Sequence, residues 1–247
     1  MKKLLLMPFF LVIVLAMVNP CAHAMKIKFT FIFVDRFPEE SRPLGFTPGD
    51  RVQVGAMVKA DDSNITEATA TNLDTGLVLD LVPMNIGAAY TDLLFLHRGF
   101  PTVDPDKHYG VWEIRLKDES GKEVVAKTHK LNIEGKVPYV ENIKATGSPF
   151  APTITWTAPK KEDVPPGCKM RYRVRLLKNN RSQFYRSKKV LSDTKEEIPK
   201  GVLKYEEIPD TYIRIETQCW DKDDKDNPFP IELKSETFLP LVEAFSQ

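Results

Sequence analysis

Lys26-Ile27-Lys28-Phe29-Thr30-Phe31-Ile32-Phe33 sets bulky apolar side chains against Lys and Thr at a period of two. A helix repeats every 3.6 residues, so this rhythm marks an extended strand with one face turned to a core. It recurs downstream. Val52, Val54, Ala56 and Val58 alternate with Arg51, Gln53, Gly55 and Met57, and residues 111–116 and 124–133 follow suit. Turn residues separate the runs at Thr47-Pro48-Gly49-Asp50, Asp61-Asp62-Ser63-Asn64, Asp74-Thr75-Gly76 and Asp118-Glu119-Ser120-Gly121. The last lies between strands expected over 110–117 and 122–133 and reads as a hairpin. Only a short turn at the C-terminal end reads as helical. Short alternating runs with regular turn signals predict an all-β sandwich class.

The leader lies before this pattern. Met1, Lys2 and Lys3 form a basic n-region, residues 4–18 are almost wholly apolar, and Ala22-His23-Ala24 supplies a cleavage signal. These are the three parts of a secretory signal peptide over residues 1–24. The rival is an uncleaved anchor. Pro20 stands where a lipobox wants a small residue before Cys21. The short basic start points to a bacterial exporter, hence the periplasm or the outside.

The 247 residues carry 35 Lys+Arg, 34 Asp+Glu and 42% apolar residues. Without the leader the balance is 33 basic to 34 acidic. Ample apolar content excludes a disordered tail. No later apolar run is long enough to span a bilayer as a helix. Balanced charge argues against dedicated nucleic-acid binding.

Alternation stops at Glu134-Gly135-Lys136-Val137-Pro138 and restarts at Tyr139, which predicts two domains, 25–135 and 136–247. Seven strands are expected in the second, near 138–145, 152–157, 169–178, 183–190, somewhere in 194–206, 210–219 and 231–239. Ile154-Thr155-Trp156-Thr157-Ala158-Pro159, Tyr172-Arg173-Val174 and Ile208-Pro209-Asp210-Thr211-Tyr212-Ile213-Arg214-Ile215 resemble a fibronectin type III domain, over about half the mature chain. The resemblance implies a core Trp156 and a tyrosine corner at Tyr212, its hydroxyl bonding upstream backbone. Pro138 matches the opening proline. The first half, through Gly110-Val111-Trp112-Glu113-Ile114 and the turn after it, resembles bacterial immunoglobulin-like domains more loosely. The expected fold is two tandem immunoglobulin/fibronectin-like β-sandwiches.

In a fibronectin-like sheet the third and sixth strands are antiparallel neighbours. Cys168 opens the one and Cys219 closes the other, so the resemblance implies a Cys168–Cys219 disulfide, consistent with export. Direct pairing of the two also sets Tyr172 opposite Ile215, Val174 opposite Ile213, Arg173 opposite Arg214 and Arg171 opposite Glu216.

Sites of chemistry are few. Asp221-Lys222-Asp223-Asp224-Lys225-Asp226-Asn227 has carboxylates at EF-hand positions one and three, with Glu232 at twelve, but puts Asp226 where the calcium loop needs Gly. It reads as a solvated loop with weak calcium binding as the rival. Asp104-Pro105-Asp106-Lys107-His108 is a second acidic loop. His97, His108 and His129 lack metal spacing. No Gly-x-Ser-x-Gly elbow or glycine-rich phosphate loop occurs, so no enzyme and no cofactor is expected. Arg171, Arg173 and Arg175 share a parity and, with Arg214 expected opposite Arg173, form a candidate binding face for an anionic partner, against the rival of a solvated face with Arg171 paired to Glu216. Leu93-Leu94-Phe95-Leu96 reads as a buried strand. The N-terminal strand is expected to pair in its own domain, with donation to another subunit's sheet as the rival.

The expectation is an exported, non-catalytic binding or assembly protein of the bacterial envelope or surface, with an envelope protein or an anionic polymer as partner. The alternative is a carbohydrate-binding accessory protein, for which Phe184 and Tyr185 are the local aromatic candidates.

Overall fold

A computed structural model describes residues 25–59, 64–84, 93–221 and 230–247. The leader, the turn residues 61–63 and the acidic-loop residues 222–227 lie outside the described residues. The strands are β1 (Ile27–Phe37), β2 (Gly49–Lys59), β3 (Ile65–Asn72), β4 (Val78–Asp80), β5 (Val82–Met84), β6 (Leu93–Pro101), β7 (Trp112–Asp118), β8 (Glu123–Lys127), β9 (Glu141–Ser148), β10 (Ala151–Thr157), β11 (Cys168–Lys178), β12 (Gln183–Arg186), β13 (Lys195–Glu197), β14 (Thr211–Asp221) and β15 (Ile231–Pro240). The all-β class holds.

The halves are joined by an eight-stranded sheet in the order β12-β11-β14-β15-β1-β2-β6-β5. Its pairs are antiparallel except one. β1 runs parallel to β15, with Val34, Asp35 and Arg36 matched to Leu233, Lys234 and Ser235. The N-terminal strand therefore pairs both within its own half, along β2, and with the last strand of the other half. A four-stranded sheet (β4-β3-β7-β8) and a three-stranded sheet (β13-β10-β9) complete the fold.

One face of the long sheet carries two cores side by side. Ile32 and Val34 of β1 and Val52, Val54, Ala56 and Val58 of β2 pack with Ala70, Trp112, Ile114 and Leu116 of the four-stranded sheet. Val174 and Leu176 of β11 and Ile213 and Ile215 of β14 pack with Ile143, Ala145, Ile154, Trp156 and Ile198 on the three-stranded side. Each fully buried aliphatic side chain contributes about 1.5–3 kcal/mol. The cores divide near the expected boundary, since Val137 belongs to the first and Val140 to the second. The strands do not respect it. Cys219 and Leu233 are buried in the first core, and Cys168 and Met170 pack against it.

The crossing segment is pinned. The expected strand to residue 133 ends at Lys127; Thr128 still bonds Trp112 of β7, and the chain then turns toward β15. The N–H groups of Asn132 and Ile133 donate to Glu232 Oε2 at 2.8 and 2.6 Å. Ser235 Oγ donates to the Pro138 carbonyl at 2.8 Å. The hairpin turn is as read. Asp118 Oδ1 accepts from the Ser120 and Lys122 N–H groups, and Gly121 takes a φ of 82°, where a Cβ would be strained.

Cys168 and Cys219 form a disulfide, with Cα atoms 5.2 Å apart. The register around it differs from the expected one by two residues. Cys168 faces Asp221 and Met170 faces Cys219, so the bridge is diagonal. Tyr172 faces Thr217, Val174 faces Ile215, and Arg173 faces Glu216. A shift of two keeps every side chain on its face, which is why parity alone did not detect it.

Trp156 is 5% exposed and meets Tyr172 edge-on at 5.5 Å. Tyr212 instead packs on the opposite face, against the cluster of Phe37, Leu44, Leu177 and Phe238. The hydroxyl that reaches back to upstream backbone is that of Thr211, donating to the Glu207 carbonyl at 2.7 Å.

Candidate functional site

The arginine row comes first, because β11 and β14 present it side by side. Arg171 faces Gln218, Arg173 faces Glu216, and Arg175 faces Arg214. The like-charge contact expected for Arg173 and Arg214 falls on Arg175 and Arg214. Carboxylates of this chain meet it. Glu216 Oε1 lies 2.5 Å from Arg175 Nη2 and 3.5 Å from Arg214 Nη2. Arg214 makes a two-pronged pair with Glu236, Nε to Oε2 at 2.7 Å and Nη2 to Oε1 at 2.6 Å. Lys234 Nζ lies 2.8 Å from Glu236 and 3.2 Å from Asp35. The row thus runs across four strands from β11 to β1.

It is a buried row. Glu216, Glu236, Asp35 and Lys234 are all under one-tenth exposed. Burial pushes the Asp35 carboxyl up to about 7 against the pull of Lys234. Burial also opposes ionisation of Glu216, but Arg175, Lys234 and Arg214 more than offset it and hold its pKa well below the usual carboxylate range. Burial disfavours the Arg214 charge, and Glu236 and Glu216 outweigh it, so its pKa rises. A carboxylate introduced at Arg214, tolerable on a solvated face, would stand against Glu216 and Glu236. Arg175 and Arg214 are occupied in holding the sheet together.

A groove of about 610 Å³ opens on the core-facing side, where the two halves meet. Arg36 at the end of β1, Asp50 of β2, Lys136 and Tyr139 of the crossing segment and Thr237 of β15 line it. Local sequence builds this place. Pro38 ends β1, and a 3₁₀ turn over Glu39–Leu44 carries the chain across to β2. That turn is tied down from the other half. The Arg181 guanidinium donates to the Leu44 and Gly45 carbonyls and lies 5.0 Å over the Phe46 ring. Phe46 stacks on Phe37 and Phe238 at 5.0 and 5.4 Å.

Within the groove Asp50 is the organising anion. Its Oδ2 lies 2.9 Å from Lys136 Nζ and its Oδ1 3.7 Å from Arg36 Nε. The Arg36 guanidinium also sits 4.9 Å over the Tyr139 ring, which fixes its plane. The Thr237 hydroxyl is buried and has no hydrogen-bond partner among the described residues. Burial raises the Tyr139 pKa.

The remaining candidates are dispersed. Asp104 pairs with Lys107 at 2.8 Å, and His108 stands edge-on to Phe100 at 5.0 Å, its carbonyl accepting from Trp112 Nε1. None of the three lines the groove. His97 lies on β6, and His129 follows β8. Of the run expected to be a buried strand, Phe95 and Leu96 are buried and Leu93 and Leu94 only half-buried. Phe184 and Tyr185 pack at the edge of the second core, and the Tyr185 hydroxyl bonds Glu196. Sequence reasoning did not find Arg36, Asp50, Lys136 or Tyr139. The one local signal was the adjacent charged pair Asp35-Arg36, which breaks the alternation near the end of β1. No protein-family model matches the chain, and no curated protein is significantly similar to it.

Proposed function

We propose that this chain is an exported, non-catalytic binding or assembly protein of the bacterial envelope or cell surface. In this reading it is two immunoglobulin- or fibronectin-like sandwiches sharing one sheet, with the junction groove as its recognition site. The groove carries the proposal. Its volume is in the range of ligand-binding clefts, both halves supply its walls, and the β1–β15 ladder beneath and the pinned crossing segment hold those walls in place. The disulfide supports export, since such bonds persist in oxidising compartments. Preformed walls favour recognition because little ordering entropy is spent on binding.

The test is in-cell photocrosslinking. A photoreactive residue replaces exposed Glu40 at the groove rim, and a control replaces exposed Lys144 on β9. Capture of one envelope protein in stoichiometric amount from Glu40 alone is the expected result. Capture from neither position, or from Lys144 alone, removes the groove from the proposal. The carbohydrate or anionic-polymer alternative draws on Tyr139 beside two cations in the same groove, and recovery of polymer fragments from Glu40 would establish it.

A further inference from the structure

We infer that the junction groove receives a carboxylate borne by an extended polypeptide partner, with Arg36 as the receiving group. This rests on the groove being the recognition site. Arg36 is oriented but unfilled. Its side chain is 32% exposed, its plane is set by Tyr139, and among the described residues its one carboxylate neighbour within 4 Å, Asp50, stands at 3.7 Å, beyond hydrogen-bond range. Among the described residues the guanidinium makes no hydrogen bond. Asp50 is instead engaged by Lys136 at 2.9 Å. A guanidinium presents five N–H donors in a rigid fork that matches a planar carboxylate. The partner's charge is bounded from the other side. Asp50, Glu39 and Glu40 also line the groove, Asp50 held by Lys136 and Glu39 by Arg42, so a doubly charged phosphate meets more repulsion there than a singly charged carboxylate.

Two further features favour a peptide. Gly49 has a φ of 108° and open space where a Cβ would stand, so a ligand main chain can come up against β2. Pro38 and Pro48, half-buried on the groove wall, give apolar flanks for neighbouring side chains.

The experiment titrates the isotope-labelled protein with acetyl-Ala-Asp-Ala-amide, its Asn analogue, glucuronate and inorganic phosphate, following the Gly49, Lys136 and Tyr139 amide resonances. The Asp peptide should shift them saturably, and the Asn analogue should bind at least about tenfold more weakly, the ratio expected for a charge-assisted pair. Arg36→Gln should abolish the difference with melting unchanged. Arg36→Lys, which keeps the charge but loses the fork, should retain part of it and serves if the glutamine variant does not fold. Equal binding of the two peptides, no saturable shift at millimolar peptide, or tighter phosphate binding overturns the inference. Tighter glucuronate binding overturns its polypeptide part. If Glu40 crosslinks a partner but Arg36→Gln leaves capture unchanged, the carboxylate inference fails and the binding reading stands. If Glu40 captures nothing while Arg36 still selects the Asp peptide, the binding reading fails instead.

Discussion

Asp35 couples the sheet to pH. Its Oδ2 lies 3.2 Å from Lys234, its Oδ1 makes no hydrogen bond among the described residues, and Arg51 faces it on β2. Burial lifts its pKa from 3.8 to about 7. A carboxyl that holds its proton more tightly when folded stabilises the fold increasingly as pH falls from about 7 toward its unfolded value. Glu216 and Glu236 act oppositely. Their pKa values are lowered in spite of burial, so their contribution is present above their ordinary value of 4.5 and lost as pH falls below it. His97 and His108, whose pKa values burial lowers, oppose Asp35 over the same range, because a buried neutral imidazole costs stability as pH falls below its ordinary value of 6.5. The test is therefore a difference: between about pH 8 and about pH 5.5 the urea midpoint of the parent should rise relative to that of Asp35→Asn. Parallel profiles for the two proteins would show that another group sets the slope.

The crossing segment is the element that most changes the sequence-based picture. A Gly-Pro break reads as a loose linker, yet here its backbone is bonded to β15 through Glu232 and Ser235. Glu232→Ala should cost about 3 kcal/mol, because two N–H groups lose a charged acceptor. Hydrogen exchange at Asn132 and Ile133 should accelerate with it, and unchanged exchange would mean that other contacts hold the segment. Much else at this scale was legible. Most strands were placed from the sequence, though not β3, β4 or β5, and the resemblance to fibronectin-like sheets pointed to the buried Trp156 and to the disulfide. Alternation reports which face a side chain takes, however, and not which strand lies beside it. The two-residue shift of β11 on β14 and the parallel partner of β1 were therefore invisible. So was the groove, whose residues at 36, 50, 136, 139 and 237 come together only through that unseen pairing.

At the scale of the molecule, two cores lie on one sheet. Residues 25–137 alone would lack Cys219 and Leu233 from their core and β15 from the edge of β1. Either half expressed alone should therefore give a collapsed amide spectrum, whereas the whole chain should unfold in one transition reported alike by Trp112 and Trp156, one in each core. Two separated transitions, or a well-dispersed isolated half, would show independent domains. The parallel β1–β15 ladder also sets an order of events. Val34 and Leu233 are about 200 residues apart, so β1 can zip to β2 early but stays open along its other edge until the last strand has been synthesised. Closing so long a loop makes maturation slow. Until then the nascent chain carries a raw sheet edge beside phenylalanines, the kind of surface that holding chaperones cover.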